Sequence, residues 1–135
     1  MARATVLLAD DHPGNKRLLR QLLESYFDVV ADVADGDALV REAERLSPDV
    51  IVTDIAMPAL DGIEAARRIL ARNPDARIVI VTGHSDAPLV DRGLAAGALG
   101  YVSKLVAGEW LVPAVHAALR GERTVFGVAA RGRTS

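Results

Sequence analysis

The sequence Val50-Ile-Val-Thr-Asp54 is β-branched at every position before its aspartate, and Ile78-Val-Ile-Val-Thr82 repeats this character further along the chain. Neither stretch alternates apolar and polar residues. Strands of this kind are covered on both faces, as they are in a parallel sheet with helices on each side. The two stretches therefore predict the centre of a parallel sheet, and each brings a polar residue to its end.

Extended and helical segments alternate on both sides of these two strands. Apolar runs at 5–9 and 98–102 and a mixed run at 27–34, which contains Asp28 and Asp32, predict three more strands. Apolar residues at helical spacing predict a helix after each strand. Pro13 suits the first turn of the first helix, because a backbone N–H is not needed there. The pattern predicts an α/β domain with a doubly wound, five-stranded parallel sheet and right-handed crossovers.

The composition excludes several classes of function. The 135 residues suggest one domain. The chain has no cysteine, which excludes disulfides, thiolate catalysis and cysteine-bound zinc. A formal net charge of -2 provides no field that would hold nucleic acid or an anionic membrane. No segment has the pattern of a signal peptide or a membrane span, so the sequence predicts a cytoplasmic protein with no membrane partner.

Five polar residues fall at the ends of predicted strands. Asp10 and Asp11 follow the first strand, Asp54 follows the third, Thr82 ends the fourth, and Lys104 follows the fifth. Taken singly, each has an ordinary structural explanation; an Asp pair after a strand is most often a turn or a helix N-cap. In an open α/β sheet, however, ligands bind beyond the carboxyl ends of the strands. We therefore expect the five side chains to converge on one site.

Three carboxylates in one site repel each other, and a divalent cation is the natural compensation. Carboxylate oxygens without nitrogen or sulfur ligands favour Mg²⁺ over zinc, and Mg²⁺ is commonly held by one or two carboxylates together with phosphate oxygens. Lys104 and Thr82 would then offer a positive charge and a hydroxyl donor to a phosphoryl group. Since a carboxylate can be the covalent nucleophile in phosphoryl transfer, the pattern indicates a phosphoryl-accepting site with Mg²⁺ as cofactor.

The segment 48–62, Pro-Asp-Val-Ile-Val-Thr-Asp-Ile-Ala-Met-Pro-Ala-Leu-Asp-Gly, resembles the phosphoacceptor strand and loop of response-regulator receiver domains. The pair Asp10-Asp11, Thr82 and the segment Tyr101-Val-Ser-Lys104 match that family in order and spacing. The resemblance covers residues 4–121. It implies a flavodoxin-like (βα)5 fold with strand order 2-1-3-4-5. It also implies a two-component signalling domain rather than an enzyme, apart from its own phosphorylation and dephosphorylation.

The resemblance assigns a role to each matching acidic position. Asp54 would be the phosphoacceptor and a metal ligand. Asp11 would bind Mg²⁺ directly, Asp10 would help through water, and the backbone carbonyl of Ala56 would be a further ligand. The phosphodonor would be a phosphohistidine on a sensor histidine kinase.

Other positions would respond to the phosphoryl group. Thr82 would hydrogen-bond its oxygens, and Lys104 would pair with them. Tyr101 resembles the family's switch aromatic, which turns inward when the threonine moves toward the phosphate. Ala56 has no side chain that could orient an attacking water, so we expect His84 to tune the lifetime of the phosphorylated form. An exposed loop histidine without a role is an equally good interpretation of His84.

The last part of the chain resembles the NarL/FixJ-type subfamily of transcriptional regulators, through residues 100–104 and 114–123. This resemblance implies a receiver domain over residues 1–121 and a flexible tail or linker start over 122–135. DNA would be contacted only through an effector domain absent from this chain. A homodimer is left open.

The sequence leaves alternatives. A degenerate receiver that acts as a phosphorylation-independent interaction module is the main one. A haloacid-dehalogenase-like phosphatase would need an aspartate where Ala56 stands, and glycine motifs for nucleotides are missing. The start of the last helix is also open. A start near Trp110 places Pro113 in the tolerated first turn, and a start at Glu109 or before predicts a kink.

Overall fold

The computed structural model describes residues 3–83 and 87–127. Its strands are β1 (Thr5–Ala9), β2 (Asp28–Val33), β3 (Val50–Thr53), β4 (Ile78–Thr82), β5 (Gly100–Ser103) and β6 (Thr124–Phe126). Its helices are α1 (Pro13–Glu24), α2 (Gly36–Leu46), α3 (Gly62–Arg72), α4 (Ala87–Ala95) and α5 (Ala107–Leu119), and a 3₁₀ turn (Lys104–Val106) joins β5 to α5. Neighbouring strands are parallel, in the order β2-β1-β3-β4-β5-β6.

The doubly wound parallel sheet predicted from the sequence is confirmed, and the predicted number of five strands is wrong. β6 pairs with the outer edge of β5, and the Thr124 backbone N–H donates to the Leu99 carbonyl at 2.8 Å. The rings of Phe126 and Trp110 stack with centroids 4.6 Å apart, which attaches the new strand to α5. The sequence predicts a tail over these residues, because a three-residue strand is too short to show a period. The boundary between domain and tail stays a prediction, and residues 128–135 lie outside the described residues.

The sheet separates two apolar layers. Val6, Leu8 and Val52 point to the face covered by α1 and α5. Leu7 and Ile51 point to the face covered by α2 and α3. Burying one such side chain contributes about 1.5–3 kcal/mol. Because helices cover both faces, the central strands are held firmly and their carboxyl ends meet at one rim of the sheet.

Side chains at this rim cap the helices that leave it. The carboxylates of Asp35 and Asp61 accept backbone N–H bonds from the first turns of α2 and α3, at 2.7 and 2.8 Å. The Nδ1 atom of His12 accepts the backbone N–H of Asn15 at 3.1 Å and caps α1. A cap of this kind contributes about 1 kcal/mol. The loop histidine beside the acidic pair therefore has a structural role.

The last helix begins at Ala107, before Glu109, so Pro113 lies inside the helix. Proline has no N–H to give, and the carbonyl of Glu109 therefore lacks its intrahelical partner. Both residues are exposed, so water can reach that carbonyl. With 13 residues α5 is the longest described helix. Among the described residues, no helix has both the length and the apolar character needed to cross a membrane.

Candidate metal centre

The register of two central strands brings the acidic residues together. β1 and β3 are neighbours, and Ala9 lies opposite Thr53. Asp10 follows Ala9 and Asp54 follows Thr53, so the two aspartates lie side by side just beyond the paired residues. The Asp54 backbone N–H donates to the Ala9 carbonyl at 2.9 Å. One carboxylate oxygen from each of Asp10, Asp11 and Asp54 lies within 4.8 Å of the others. The structure therefore places these three predicted site residues in one cluster, which we call the acidic cluster.

The three aspartates of the acidic cluster differ in their exposure to water. Asp10 is fully buried and Asp54 is 6% exposed, whereas Asp11 is exposed. Burying a charged carboxylate without compensation is expensive, so the two inner carboxylates need positive charge or hydrogen-bond donors. Backbone N–H groups supply part of this need. Oδ1 of Asp10 accepts from the backbone of His12 at 2.8 Å, and Oδ1 of Asp54 accepts from that of Ile55 at 2.7 Å.

Lys104 supplies the positive charge within the cluster. Its Nζ lies 2.7 Å from Oδ2 of Asp54 and 2.9 Å from Oδ2 of Asp10. Burial lowers the pKa of Lys104, but the hydrogen bond to Asp54 and the negative charges of Asp54 and Asp10 outweigh burial and raise that pKa above its usual value. The ammonium group is therefore charged at neutral pH and neutralises one of the three carboxylates.

The donor set of the cluster fits a hard divalent cation. Three carboxylates face one ammonium group, so an excess of negative charge remains. Oδ2 of Asp10 is buried, and its contact with Lys104 is an ion pair without the alignment of a hydrogen bond, so this oxygen has no hydrogen-bond partner in the described part of the chain. A buried carboxylate oxygen without a hydrogen-bond partner, beside a second carboxylate and an exposed third one, suits Mg²⁺, which takes carboxylate oxygens and keeps several waters.

The loop after Asp54 folds back against the strand end. The Gly62 backbone N–H donates to the carbonyl of Ile55 at 2.8 Å. A Cβ atom at position 62 would lie 1.9 Å from the carbonyl oxygen of Asp54, which is impossible without moving the backbone. The glycine at the start of α3 is therefore a steric requirement of the close packing between this loop and the backbone of Asp54.

The remaining predicted site residues occupy different surroundings. Thr82 is buried at the end of β4, opposite Ser103 of β5. Tyr101 is fully buried and packs in an apolar cluster with Ile80 and Val90. Ala56 is exposed in the loop after β3, and the role of its carbonyl stays a prediction. The prediction for His84 concerns a residue outside those that the structure describes.

Two residues near the site were missed by the sequence analysis. The Ser103 side chain is buried and accepts the backbone N–H of Leu105 at 3.2 Å, which fixes the 3₁₀ turn that carries Lys104. The Thr53 hydroxyl, also buried, donates to the Asp54 carbonyl at 2.9 Å. In both cases the signal was a small hydroxyl residue ending an otherwise apolar strand. Such residues are common at strand ends, so the sequence alone did not single them out.

Comparisons with known proteins agree with this geometry. The family profile described as the response regulator receiver domain matches residues 6–116. The transcriptional regulatory protein DegU of Brevibacillus brevis is 38% identical over 120 residues, covering 86% of this chain and 50% of DegU. The chain thus spans about half the length of this curated relative.

Solved structures share the fold. A two-component response regulator of the LuxR family from Aurantimonas sp. SI85-9A1 has a TM-score of 0.87 at 37% identity, covering 91% of this chain and 89% of that one. A chain in the CheX-CheY-BeF3-Mg²⁺ complex from Borrelia burgdorferi has a TM-score of 0.82 at 25% identity, covering 86% of this chain and 89% of that one.

Proposed function

This chain belongs to the response regulator receiver family of two-component signalling and is related to transcriptional regulators, and from that premise we propose that Asp54 is its phosphoacceptor. The observation that carries the proposal is the acidic cluster with Lys104 in contact. The nearly buried carboxylate of Asp54 is fixed by a hydrogen bond at each oxygen, from Ile55 and from Lys104. Such preorganised charge is what a phosphoryl-transfer site requires.

In the proposed reaction, a carboxylate oxygen of Asp54 attacks the phosphorus of a phosphohistidine on a sensor histidine kinase. The new O–P bond forms as the N–P bond breaks, and the leaving imidazole takes up a proton. The ammonium group of Lys104 would then change its ion-pair partner from the carboxylate oxygen of Asp54 to the oxygens of the bound phosphoryl group. Since its Nζ is already 2.7 Å from Oδ2 of Asp54, a small movement is enough. Thr82 would supply a hydroxyl donor from the neighbouring strand end.

Asp10, Asp11 and Asp54 are the side chains that would hold Mg²⁺, with the Ala56 carbonyl as the further ligand implied by the family. When bound, Mg²⁺ would neutralise the excess carboxylate charge and the charge of the phosphoryl oxygens. Asp10 would help through water with its buried oxygen, which has no hydrogen-bond partner among the described residues. We propose that the protein catalyses no reaction beyond its own phosphorylation and dephosphorylation.

Tyr101 is proposed as the element that reports the state of Asp54. Its ring is fully buried, the inward arrangement that the family resemblance associates with a phosphorylated aspartate. β4 and β5 are paired, so Thr82 and Tyr101 lie on adjacent strands, and a movement of the first can be passed to the second. Phosphorylation would stabilise the inward arrangement that the ring already occupies.

The wider partners of the protein are proposals as well. DegU is named a transcriptional regulatory protein, and it is twice as long as the region that matches this chain. We therefore propose that this receiver regulates a DNA-binding effector domain. A homodimer would be one way for phosphorylation to reach that output. The cytoplasmic location predicted from the sequence stays a prediction.

The proposal is tested by incubation with acetyl phosphate and by intact-protein mass spectrometry. We expect wild type to gain the mass of one phosphoryl group with Mg²⁺ present and none after chelation by EDTA. The matched control Asp54→Asn, checked for folding by circular dichroism, should gain none. If wild type gains no mass under any of these conditions, the phosphoacceptor proposal is wrong and the interaction-module alternative is favoured. If Asp54→Asn gains the same mass as wild type, the acceptor has been misplaced.

A further inference from the structure

The ring of Tyr101 lies beneath α4 rather than on the surface. Tyr101 belongs to β5, and its side chain joins an apolar cluster that also contains Ile80 of β4 and Val90 of α4. The ring is fully buried, and a tyrosine ring is rigid apart from two rotatable bonds. The inward position therefore depends on space that α4 leaves free above the sheet.

Gly93 provides that space. It is buried within α4 and faces the ring. A Cβ atom at position 93 would lie 3.2 Å from both Cδ2 and Cε2 of Tyr101 and 2.9 Å from Cδ1 of Ile80. Carbon atoms prefer a separation of about 3.5–4.0 Å, so even one methyl group would press on both side chains. A glycine inside a helix also weakens the helix relative to alanine, and the close contacts at position 93 supply a packing reason for that cost.

The two neighbours of Gly93 differ in how they can yield. Cδ1 of Ile80 is the end of a flexible side chain and can rotate away. The Tyr101 ring is rigid and fully buried, so it must move by a few tenths of an ångström as a unit to restore an ordinary contact distance, which displaces it from its inward position. A methyl group at position 93 would thus act against the inward position of Tyr101 more than against the fold as a whole.

We propose that Gly93 is a positioning residue that sets the balance of the Tyr101 switch, because the missing side chain makes the inward position available. The inference rests on the proposed role of Tyr101 and extends it to α4. Under this proposal the Tyr101 ring couples α4 to Asp54. A small increase in side-chain volume at position 93 then shifts Tyr101 away from its inward position without any contact with the acidic cluster.

The test uses 3-fluorotyrosine labelling and ¹⁹F NMR of the full chain. The protein has two tyrosines, Tyr26 and Tyr101, so two signals are expected and Tyr26→Phe assigns them. In wild type the signal of the buried Tyr101 should be protected from a soluble paramagnetic quencher, and that of Tyr26, which is 57% exposed, should not. In Gly93→Ala we expect a several-fold increase in quenching of Tyr101.

Gly108→Ala is the matched control, because Gly108 lies in α5 and a Cβ there would meet nothing within 4 Å. It makes the same helix change without pressing on a ring, so Tyr101 should stay protected. If Tyr101 is equally protected in Gly93→Ala and in Gly108→Ala, the inference is overturned. Because this comparison needs no phosphorylation, it remains decisive even if acetyl phosphate adds no mass to wild type, the result that would overturn the proposed function instead.

A second measurement covers the case in which Gly93→Ala folds poorly. Unfolding midpoints in urea are compared for Gly93→Ala in wild type and in a Tyr101→Leu background. If the new methyl group presses on the Tyr101 ring, Gly93→Ala should lower the urea midpoint in wild type. In the Tyr101→Leu background it should leave the midpoint unchanged or raise it, because the higher helix propensity of alanine is no longer opposed by that contact. Equal effects in both backgrounds would show that the ring is not what Gly93 accommodates.

Discussion

Replacing Asp11 by asparagine tests the electrostatics of the acidic cluster at its most exposed member. Two unit charges 4.8 Å apart repel by about 0.9 kcal/mol in water and by about 3.5 kcal/mol at an effective dielectric constant of about 20. Asp11 is repelled by the carboxylates of Asp10 and Asp54, and the ammonium group of Lys104, which contacts both of them, neutralises one of the two charges. Because Asp11 is exposed, the lower figure applies. We expect Asp11→Asn to stabilise the metal-free protein by about 1 kcal/mol.

The assay is urea unfolding followed by circular dichroism, with EDTA and with saturating Mg²⁺. A ligand that binds the native state raises its stability, so wild type should gain strongly from Mg²⁺ and the variant should gain little. The order of stability should therefore reverse when Mg²⁺ is added. Asp28→Asn is the control, because Asp28 is an exposed residue at the opposite end of the strands. Equal Mg²⁺ effects on wild type and Asp11→Asn would refute the assignment of this carboxylate as a Mg²⁺ ligand.

Three further outcomes are expected. The raised pKa of Lys104 means that its stabilising charge is complete below the ordinary lysine value of about 10.5 and is lost as pH rises through the raised pKa; ¹³C NMR titration should show this, with a lower pKa in Asp54→Asn. Gly62→Ala should cost about 3 kcal/mol in urea unfolding, because the new methyl group meets the backbone of Asp54. Phe126→Ala should cost about 1–2 kcal/mol and move the fluorescence of Trp110 to longer wavelength, because it removes the stacked ring and exposes the indole.

Each of these outcomes has a control. The chain has two lysines, so Lys16→Arg assigns the Lys104 signal, and a Lys104 pKa at or below the ordinary value would contradict the ion-pair description. Gly108→Ala should leave the stability nearly unchanged, in contrast to Gly62→Ala. Equal stability of the two variants would disprove the steric requirement for glycine at position 62. Val125→Ala alters a partly exposed neighbour in β6, and unchanged Trp110 fluorescence in Phe126→Ala would show that the strand does not pack there.

Much of the fold was predictable because its centre has strong local signals. β3 and β4 are β-branched and buried throughout, and their polar end residues mark the rim. The convergence of Asp10 with Asp54 followed from the rule that parallel strands deliver their carboxyl ends to one edge. The observed register, with Ala9 opposite Thr53, is the physical reason that this prediction succeeded.

Other features depend on contacts that no local pattern reveals. β6 owes its existence to the open edge of β5 and to the stacking of Phe126 on Trp110, two partners far apart in the sequence. The start of α5 at Ala107 was hidden by Gly108 in its first turn. A sequence pattern also predicts which face of the sheet Tyr101 lies on, but it does not predict the side-chain rotamer. The burial of the ring beneath Gly93 is therefore visible only in the structure.

Asp54 is the proposed carrier of the phosphoryl group, and chemical trapping identifies the modified residue. Protein treated with acetyl phosphate and Mg²⁺ is reduced with borohydride, which converts an aspartyl phosphate to homoserine, and is then digested and sequenced by mass spectrometry. We predict homoserine at position 54 in treated wild type and unmodified aspartate there when Mg²⁺ is withheld. Homoserine at Asp10 or Asp11 instead, or at no position, would show that Asp54 is not the phosphoacceptor.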